Sequence, residues 1–219
     1  MEVILSEELK NEYPNIKIGI LEVRGVTSKR CDPRLEREKR LLEAYIRKNY
    51  TNPEEIDVIK SYNRFFKQYG KVYPIQYQIQ SILKGKLIPT RSTVVEAMFM
   101  AELKNMYLTA GHDLDSLNGH LETRLADGSE SYVKINGKEQ RLKPGDIYTR
   151  DRVGIISSVL YGPDYRTRIR DDTRNCLFFS YLPYGEEDVN IKRHLRNILD
   201  NLRIFMDEEP EAVEIRIYQ

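Results

Sequence analysis

Between Ser92 and Gly119 the chain reads S-T-V-V-E-A-M-F-M-A-E-L-K-N-M-Y-L-T-A-G-H-D-L-D-S-L-N-G, a helical pattern that runs straight into a polar segment. Val94, Val95, Met98, Ala101 and Leu103 recur at spacings that bury one helical face, and Ser92 stands where an N-cap belongs. The second half crowds His112, Asp113 and Asp115 between Gly111 and Gly119. That composition predicts a compact turn whose glycines let the backbone approach a ligand, although a solvated turn with no ligand uses the same residues.

At 219 residues with 40% hydrophobic content, the chain can bury a core as one large domain or two small ones. Lys and Arg number 35 against 34 Asp and Glu, a formal charge of +1, so an RNA-binding face has to be a local patch and no DNA partner is expected. No apolar run approaches the roughly 18 residues that span a bilayer, and Met1-Glu2-Val3 opens nothing like a signal peptide, so the expectation is a cytoplasmic protein without a membrane partner. Cys31 and Cys176 are far apart and form no CxxC pair, which suits a reducing compartment and excludes a cysteine-based zinc site; a disulfide between them stays open. There is no GxxxxGK[ST] loop, GxSxG elbow, HExxH helix or GxGxxG fingerprint, so no cofactor is expected. Asp113 and Asp115 alone are too few ligands to specify a metal.

Ile16 to Val23 reads as a strand, Arg34 to Lys48 as a surface helix, and Thr51-Asn52-Pro53-Glu54-Glu55 as the start of a helix that carries Ile59, Tyr62, Phe65 and Phe66 inward and stops near Gly70. A further helix spans Ile75 to Leu83. After Gly111 the texture becomes short β-like segments at 120–126, 131–135, 140–142, 147–151, 154–161, 166–170 and 176–182, punctuated by Asp127-Gly128, Asn136-Gly137 and Pro144-Gly145. A helix from Glu186 to about Met206 and a strand from Ala212 to Tyr218 close the chain. No Gly/Ser-rich spacer separates the helical half from the β half, so the expected fold is a single α+β domain, residues 1–219. Its divisions are a strand and helical extension over 1–60, a core over 61–182, and the closing helix and strand over 183–219.

The order of these elements, with Ser61-Tyr62-Asn63-Arg64-Phe65-Phe66-Lys67-Gln68-Tyr69-Gly70, the Gly-His-Asp-Leu-Asp segment, Gly154 to Gly162 and Asp171-Asp172-Thr173-Arg174-Asn175-Cys176-Leu177, is distinctive. It resembles the B-three/B-four domain, the tRNA-editing module of the bacterial phenylalanyl-tRNA synthetase beta subunit, and especially its free-standing relatives. The resemblance covers roughly 61–182 and makes that span an editing-module-like core. It implies a layered fold with a β-sandwich-like part of unusual topology, and a cleft at which mischarged aminoacyl-tRNA is hydrolysed. The partner so implied is tRNA or aminoacyl-tRNA.

Hydrolysing such an ester needs a positioned water, a proton acceptor and donors for the oxyanion, but no covalent nucleophile. On the resemblance, His112, Asp113, Asp115 and Thr173 are the candidate catalytic groups. Gly111, Gly162, Asn175 and Phe179 would line the substrate site, and Arg168 and Arg174 would meet RNA phosphates. Each has a plainer reading: His112 as a surface-turn histidine, Asp113 and Asp115 as Asx turn and cap, Thr173 as a hairpin residue, and the aromatic run from Tyr62 to Tyr77 as core. Arg166, Arg168 and Arg170 alternate as on the wet face of a strand. The chain also departs from the synthetase pattern. Ala110 stands where the synthetase has a histidine, and Leu177-Phe178-Phe179 lacks the glutamate that reads a tyrosine hydroxyl. A trans-acting deacylase and a non-catalytic binding module for tRNA or an amino-acid-like ligand are therefore both open; a complete synthetase is not.

Overall fold

The strand-forming residues of Lys17–Arg24 are buried at every position from Ile18 to Val23, which only a strand inside a sheet covered on both faces achieves. The computed structural model describes all residues from Met1 to Gln219. In chain order the elements are β1 (Val3–Leu5), α1 (Glu7–Glu12), β2 (Lys17–Arg24), α2 (Pro33–Asn49), α3 (Asp57–Lys67), α4 (Pro74–Leu83), α5 (Thr93–Asn105) and β3 (Thr109–Asp113). There follow β4 (Leu121–Leu125), β5 (Ser131–Val133), β6 (Glu139–Arg141), β7 (Ile147–Arg150), β8 (Ile155–Ser158), β9 (Gly162–Pro163), β10 (Asn175–Leu182), α6 (Asp188–Phe205) and β11 (Ala212–Tyr218).

The architecture is α+β. One antiparallel sheet runs β11-β2-β10-β3, a second runs β1-β4-β7-β8-β9 with β1 parallel to β4, and β5-β6 is a separate hairpin. Helices α5 and α6 pack on each other and cover one face of the four-stranded sheet. The contact is close enough that a Cβ at Gly19 of β2 would sit 2.6 Å from Ile191 of α6. The other face meets the five-stranded sheet across a buried polar ladder. The Tyr181 hydroxyl contacts Ser157 Oγ at 2.5 Å and donates to Thr149 Oγ1 at 2.7 Å, and Thr149 meets Thr123 at 3.0 Å. Each hydroxyl is thereby satisfied inside an otherwise apolar seam.

The run of aromatics is core. Tyr62 and Tyr73 stack at 4.3 Å, the Tyr62 hydroxyl donates to Tyr181 O at 2.6 Å, and Phe65 and Phe66 are fully enclosed, while Tyr77 is exposed. No helix is long and apolar enough to cross a membrane. Cys31 is exposed, Cys176 is buried, and both are free thiols.

Several elements differ from the sequence reading. Gly111, His112 and Asp113 belong to β3, a buried edge strand, where a turn was expected; tertiary pairing with β10 overrides the turn-like composition. Gly111 has no positive φ there, and its missing side chain instead leaves room for Met98 and Ile169, 3.1 and 2.8 Å from a built Cβ. The segment 166–170 is not a strand and makes only the isolated bridge between His112 and Arg168, because Arg166 and Arg170 turn to separate carboxylates while Arg168 folds back over Tyr165. Thr51 to Glu55 folds into a single 3-10 turn at Pro53–Glu55, and α3 begins separately at Asp57. Ser92 occupies the N-cap position, but its side chain makes no capping bond; the Thr93 hydroxyl accepts from Lys29 N at 2.9 Å instead.

Candidate functional site

The end of α5, the start of β3, the first turn of α4 and the 158–163 turn enclose a cleft of about 310 Å³. Ile75, Phe99, Leu108, Ala110, Val159 and Leu160 give it a largely apolar wall. The 158–163 turn is held by Asp146: its carboxylate accepts from Ser158 Oγ at 2.8 Å and from Leu160 N at 3.2 Å, and Ser158 Oγ in turn accepts from Tyr161 N at 3.0 Å. Burial pushes the Asp146 carboxyl up to about 7, against those hydrogen bonds. Gly162 adopts φ +80°, its carbonyl accepts from Tyr132 at 2.6 Å, and nothing lies within 4 Å of a Cβ built on it, so the backbone there is open to a ligand.

Glu102 is the one carboxylate on the cleft wall. One of its oxygens, Oε1, accepts from Thr109 N at 2.7 Å, and that bond joins the last turn of α5 to β3 across Met106, a non-glycine residue at φ +63°. Oε2 has no partner, and Glu102 remains 5% exposed. Burial raises its carboxyl to about 8. No lysine, arginine or histidine lines the cleft.

Most of the residues singled out in the sequence gather elsewhere, at the far end of β3. Asp113 is buried; Oδ1 accepts from Asp115 N at 3.0 Å, and Oδ2 accepts from Arg170 Nη2 at 2.7 Å and from Thr173 Oγ1 at 3.1 Å. Thr173 also takes Arg170 N at 2.9 Å, so Asp113 and Thr173 together tie the 170–173 turn to the strand. Asp115 is exposed and accepts from the Asn175 amide at 2.8 Å. Arg174 is exposed and donates to Thr27, whereas the Arg168 guanidinium lies 3.6 Å over the Tyr165 ring. Phe179 is enclosed between the sheets beside Tyr181 and does not line the cleft. Of the predicted set, Gly162 alone lines it.

His112 is no surface histidine: it is wholly buried, with Nδ1 2.7 Å from Thr167 Oγ1. The Thr167 hydroxyl donates to Asp164, so it accepts the Nδ1 proton and leaves Nε2 as a buried acceptor without a partner. Burial, reinforced by Arg166, pushes this histidine down to about 3 and keeps it neutral.

These contacts set different expectations for the two aspartates. Asp113→Ala should lower stability by about 2–3 kcal/mol, since a buried carboxylate with three partners is lost, while Asp115→Ala should change it by less than about 1 kcal/mol. Urea unfolding of both variants checks this, and equal effects would refute the structural role given to Asp113.

Glu102 and Asp146 went unread in the sequence. A carboxylate inside V-V-E-A-M-F-M-A-E-L was the available signal, but Glu96 and Glu102 both carry it and only the fold separates a buried ion pair from a cleft wall.

The B3/4 domain model matches residues 61–197, and the chain belongs to that family. The phenylalanine–tRNA ligase beta subunit of Mycoplasma pneumoniae is 35% identical over 78 residues, 36% of this chain and 10% of its own length. That of Mycoplasma genitalium is 33% identical over 88 residues, 39% of this chain and 11% of its own. The matched stretch is thus about a tenth of those relatives. An N-terminal fragment of the phenylalanyl-tRNA synthetase beta subunit from Pyrococcus horikoshii superposes with a TM-score of 0.51, covering 98% of this chain and 50% of that one. At 12% identity the likeness is one of fold.

Proposed function

We propose that this chain is a recognition module that receives an amino-acid-like group, presented at the end of a tRNA, in the cleft between α4, α5, β3 and the 158–163 turn. The observation that carries the reading is the cleft itself. Its volume of about 310 Å³ sits at the lower end of the range for small-ligand sites, about 300–1,000 Å³. An apolar wall, one carboxylate and an open backbone at Gly162 suit a ligand with an apolar side chain and a few polar atoms. Membership in a family shared with a tRNA ligase subunit supports tRNA as the carrier. The exposed Arg174 is available to a phosphate, whereas Arg166 and Arg170 are held in ion pairs with Asp151 and Asp113.

Hydrolysis of the aminoacyl ester is the second reading, favoured by the resemblance to the editing module. The geometry gives it less support, because His112, Asp113, Asp115 and Thr173 all lie outside the cleft lining and three of them are buried in structural hydrogen bonds. A panel of radiolabelled aminoacyl-tRNAs and uncharged tRNAs tests both. Binding of at least one charged species about tenfold tighter than its uncharged form, lost when Ala110→Leu fills the cleft, is the expected result. Release of the amino acid during the same incubation would convert the module to a deacylase. Neither preference nor release across the panel would overturn the proposal.

A further inference from the structure

Resting on the cleft as a ligand site, we infer that Glu102 is its polar anchor and selects ligands that carry an ammonium group on an apolar body. Three observations converge. The first is the division of labour within the carboxyl group: Oε1 is committed to Thr109 N, while Oε2 has no partner and is not among the fully enclosed polar atoms. A glutamine would cap Thr109 equally well without placing a second acidic oxygen on an apolar wall, so the bond to Thr109 does not account for the acid.

The second is that no cation stands on the cleft wall itself, the nearest being Lys71 and Lys134, 4.7 and 5.8 Å over the ring of Tyr161. No lysine or arginine lines the cleft, and the hydroxyls of Thr109, Ser158 and Tyr181 are already engaged with protein partners. The titratable groups that face Glu102 are the phenols of Tyr62 on α3 and Tyr73 before α4, whose burial raises them, with Tyr161 and Tyr181 across the cleft raised for the same reason. Behind Thr109, His194 of α6 is held neutral by burial. A carboxylate in such surroundings binds either a proton or a cation. Without a ligand the proton wins, as the carboxyl's rise to about 8 indicates.

The third is position. Glu102 lies in the last turn of the thirteen-residue helix α5, where the helix dipole adds negative potential. That favours an incoming ammonium over a neutral hydroxyl and opposes a ligand carboxylate. On binding, the Glu102 proton leaves for solvent, the ammonium keeps its own, and a carboxylate–ammonium pair replaces the neutral acid. Below pH 8 binding therefore releases a proton.

The probes are 2-phenylethylamine and isopentylamine, compared with 2-phenylethanol and isopentanol, by calorimetric titration and saturation-transfer NMR at pH 6, 7 and 8. The amines should bind the wild type about tenfold more tightly than the alcohols at pH 8, and their affinity should rise severalfold, approaching tenfold, for each pH unit from 6 to 8, while that of the alcohols does not rise. Glu102→Gln, which keeps an acceptor for Thr109, should abolish the preference and the slope and retain alcohol binding. Alcohols that bind as well as amines, or a flat amine profile, would overturn the inference yet leave the cleft intact as a ligand site. Failure of every probe to bind would overturn it too, and the aminoacyl-tRNA panel judges the cleft separately. The wild-type pH slope is decisive even if the variant fails to fold.

Discussion

Replacing Lys39 by methionine is expected to destabilise the fold by about 3–5 kcal/mol, the penalty of leaving a buried charge without its partner. Lys39 lies inside α2 with no exposed surface, and its ammonium reaches Glu96 Oε2 of α5 at 3.0 Å as well as Glu36 one turn away. Glu96 is itself buried, and its second oxygen accepts from Arg91 N. Removing the lysine strands that carboxylate between α2 and α5. Such a loss is comparable to the whole stability of a marginal domain, about 5–15 kcal/mol. The double variant Lys39→Met/Glu96→Gln removes both charges and should recover more than half of the loss, because the penalty comes from the orphaned charge more than from the missing attraction. Urea unfolding of the single and double variants measures the coupling. A single variant within about 1 kcal/mol of the wild type would mean that water reaches the pair. The pair matters to the cleft because α5 carries both Glu96 and Glu102 on its buried surface, so any shift of α5 against α2 displaces the cleft wall.

What was legible in the sequence follows from how local its causes are. Helices α2, α4 and α6 and strands β2, β10 and β11 fall within a few residues of their expected bounds, since each carries its own pattern of apolar residues, and α2 its Asp32 cap as well. The family resemblance was legible for a related reason: it lies in the order of such elements, and the B3/4 match at 61–197 extends beyond the expected core into α6. Strand β3 was not legible. Gly111-His112-Asp113 carries turn-forming residues, and what makes it a strand is burial against β10 and bonds to Thr167, Arg170 and Thr173, more than fifty positions away in sequence. Arg166 to Arg170 misled in the opposite sense: alternation suggested a strand, but Arg166 and Arg170 are directed at Asp151 and Asp113, which no local pattern reveals. The cleft is harder still. Its wall is drawn from 74–78, 99–110 and 158–163, with Tyr181, and its one acid sits in an apolar helix where a second, differently used glutamate makes the signal ambiguous.

Stability should peak between about pH 5 and 6 and fall on both sides, and the alkaline limb is the diagnostic one. Glu102 rises from 4.5 to about 8 on folding and Asp146 from 3.8 to about 7, both through burial. The native state thus holds protons that the unfolded chain has lost, and stability declines as pH rises through these folded values. His112 and His194 shift the other way, from 6.5 to about 3, so below 6.5 the unfolded chain takes up protons that the native state refuses. Near pH 5.5 the two effects nearly cancel. Below about 4.5 the unfolded acids protonate as well, the cancellation ends, and stability drops with falling pH, helped by Asp32, which Arg34 holds down at about 2. With one pKa unit equivalent to about 1.4 kcal/mol, the loss from pH 6 to pH 9 should reach about 2 kcal/mol. Urea midpoints at pH 5, 6, 7, 8 and 9 trace the curve, and a stability that climbs steadily from pH 6 to 8 would falsify it. Glu102→Gln should flatten the alkaline limb by removing the group with the highest folded value. The same proton links stability to recognition: a ligand ammonium that replaces it at Glu102 should stabilise the fold more at pH 8 than at pH 6, so ligand-induced shifts in unfolding midpoint are expected to grow with pH while the free protein weakens.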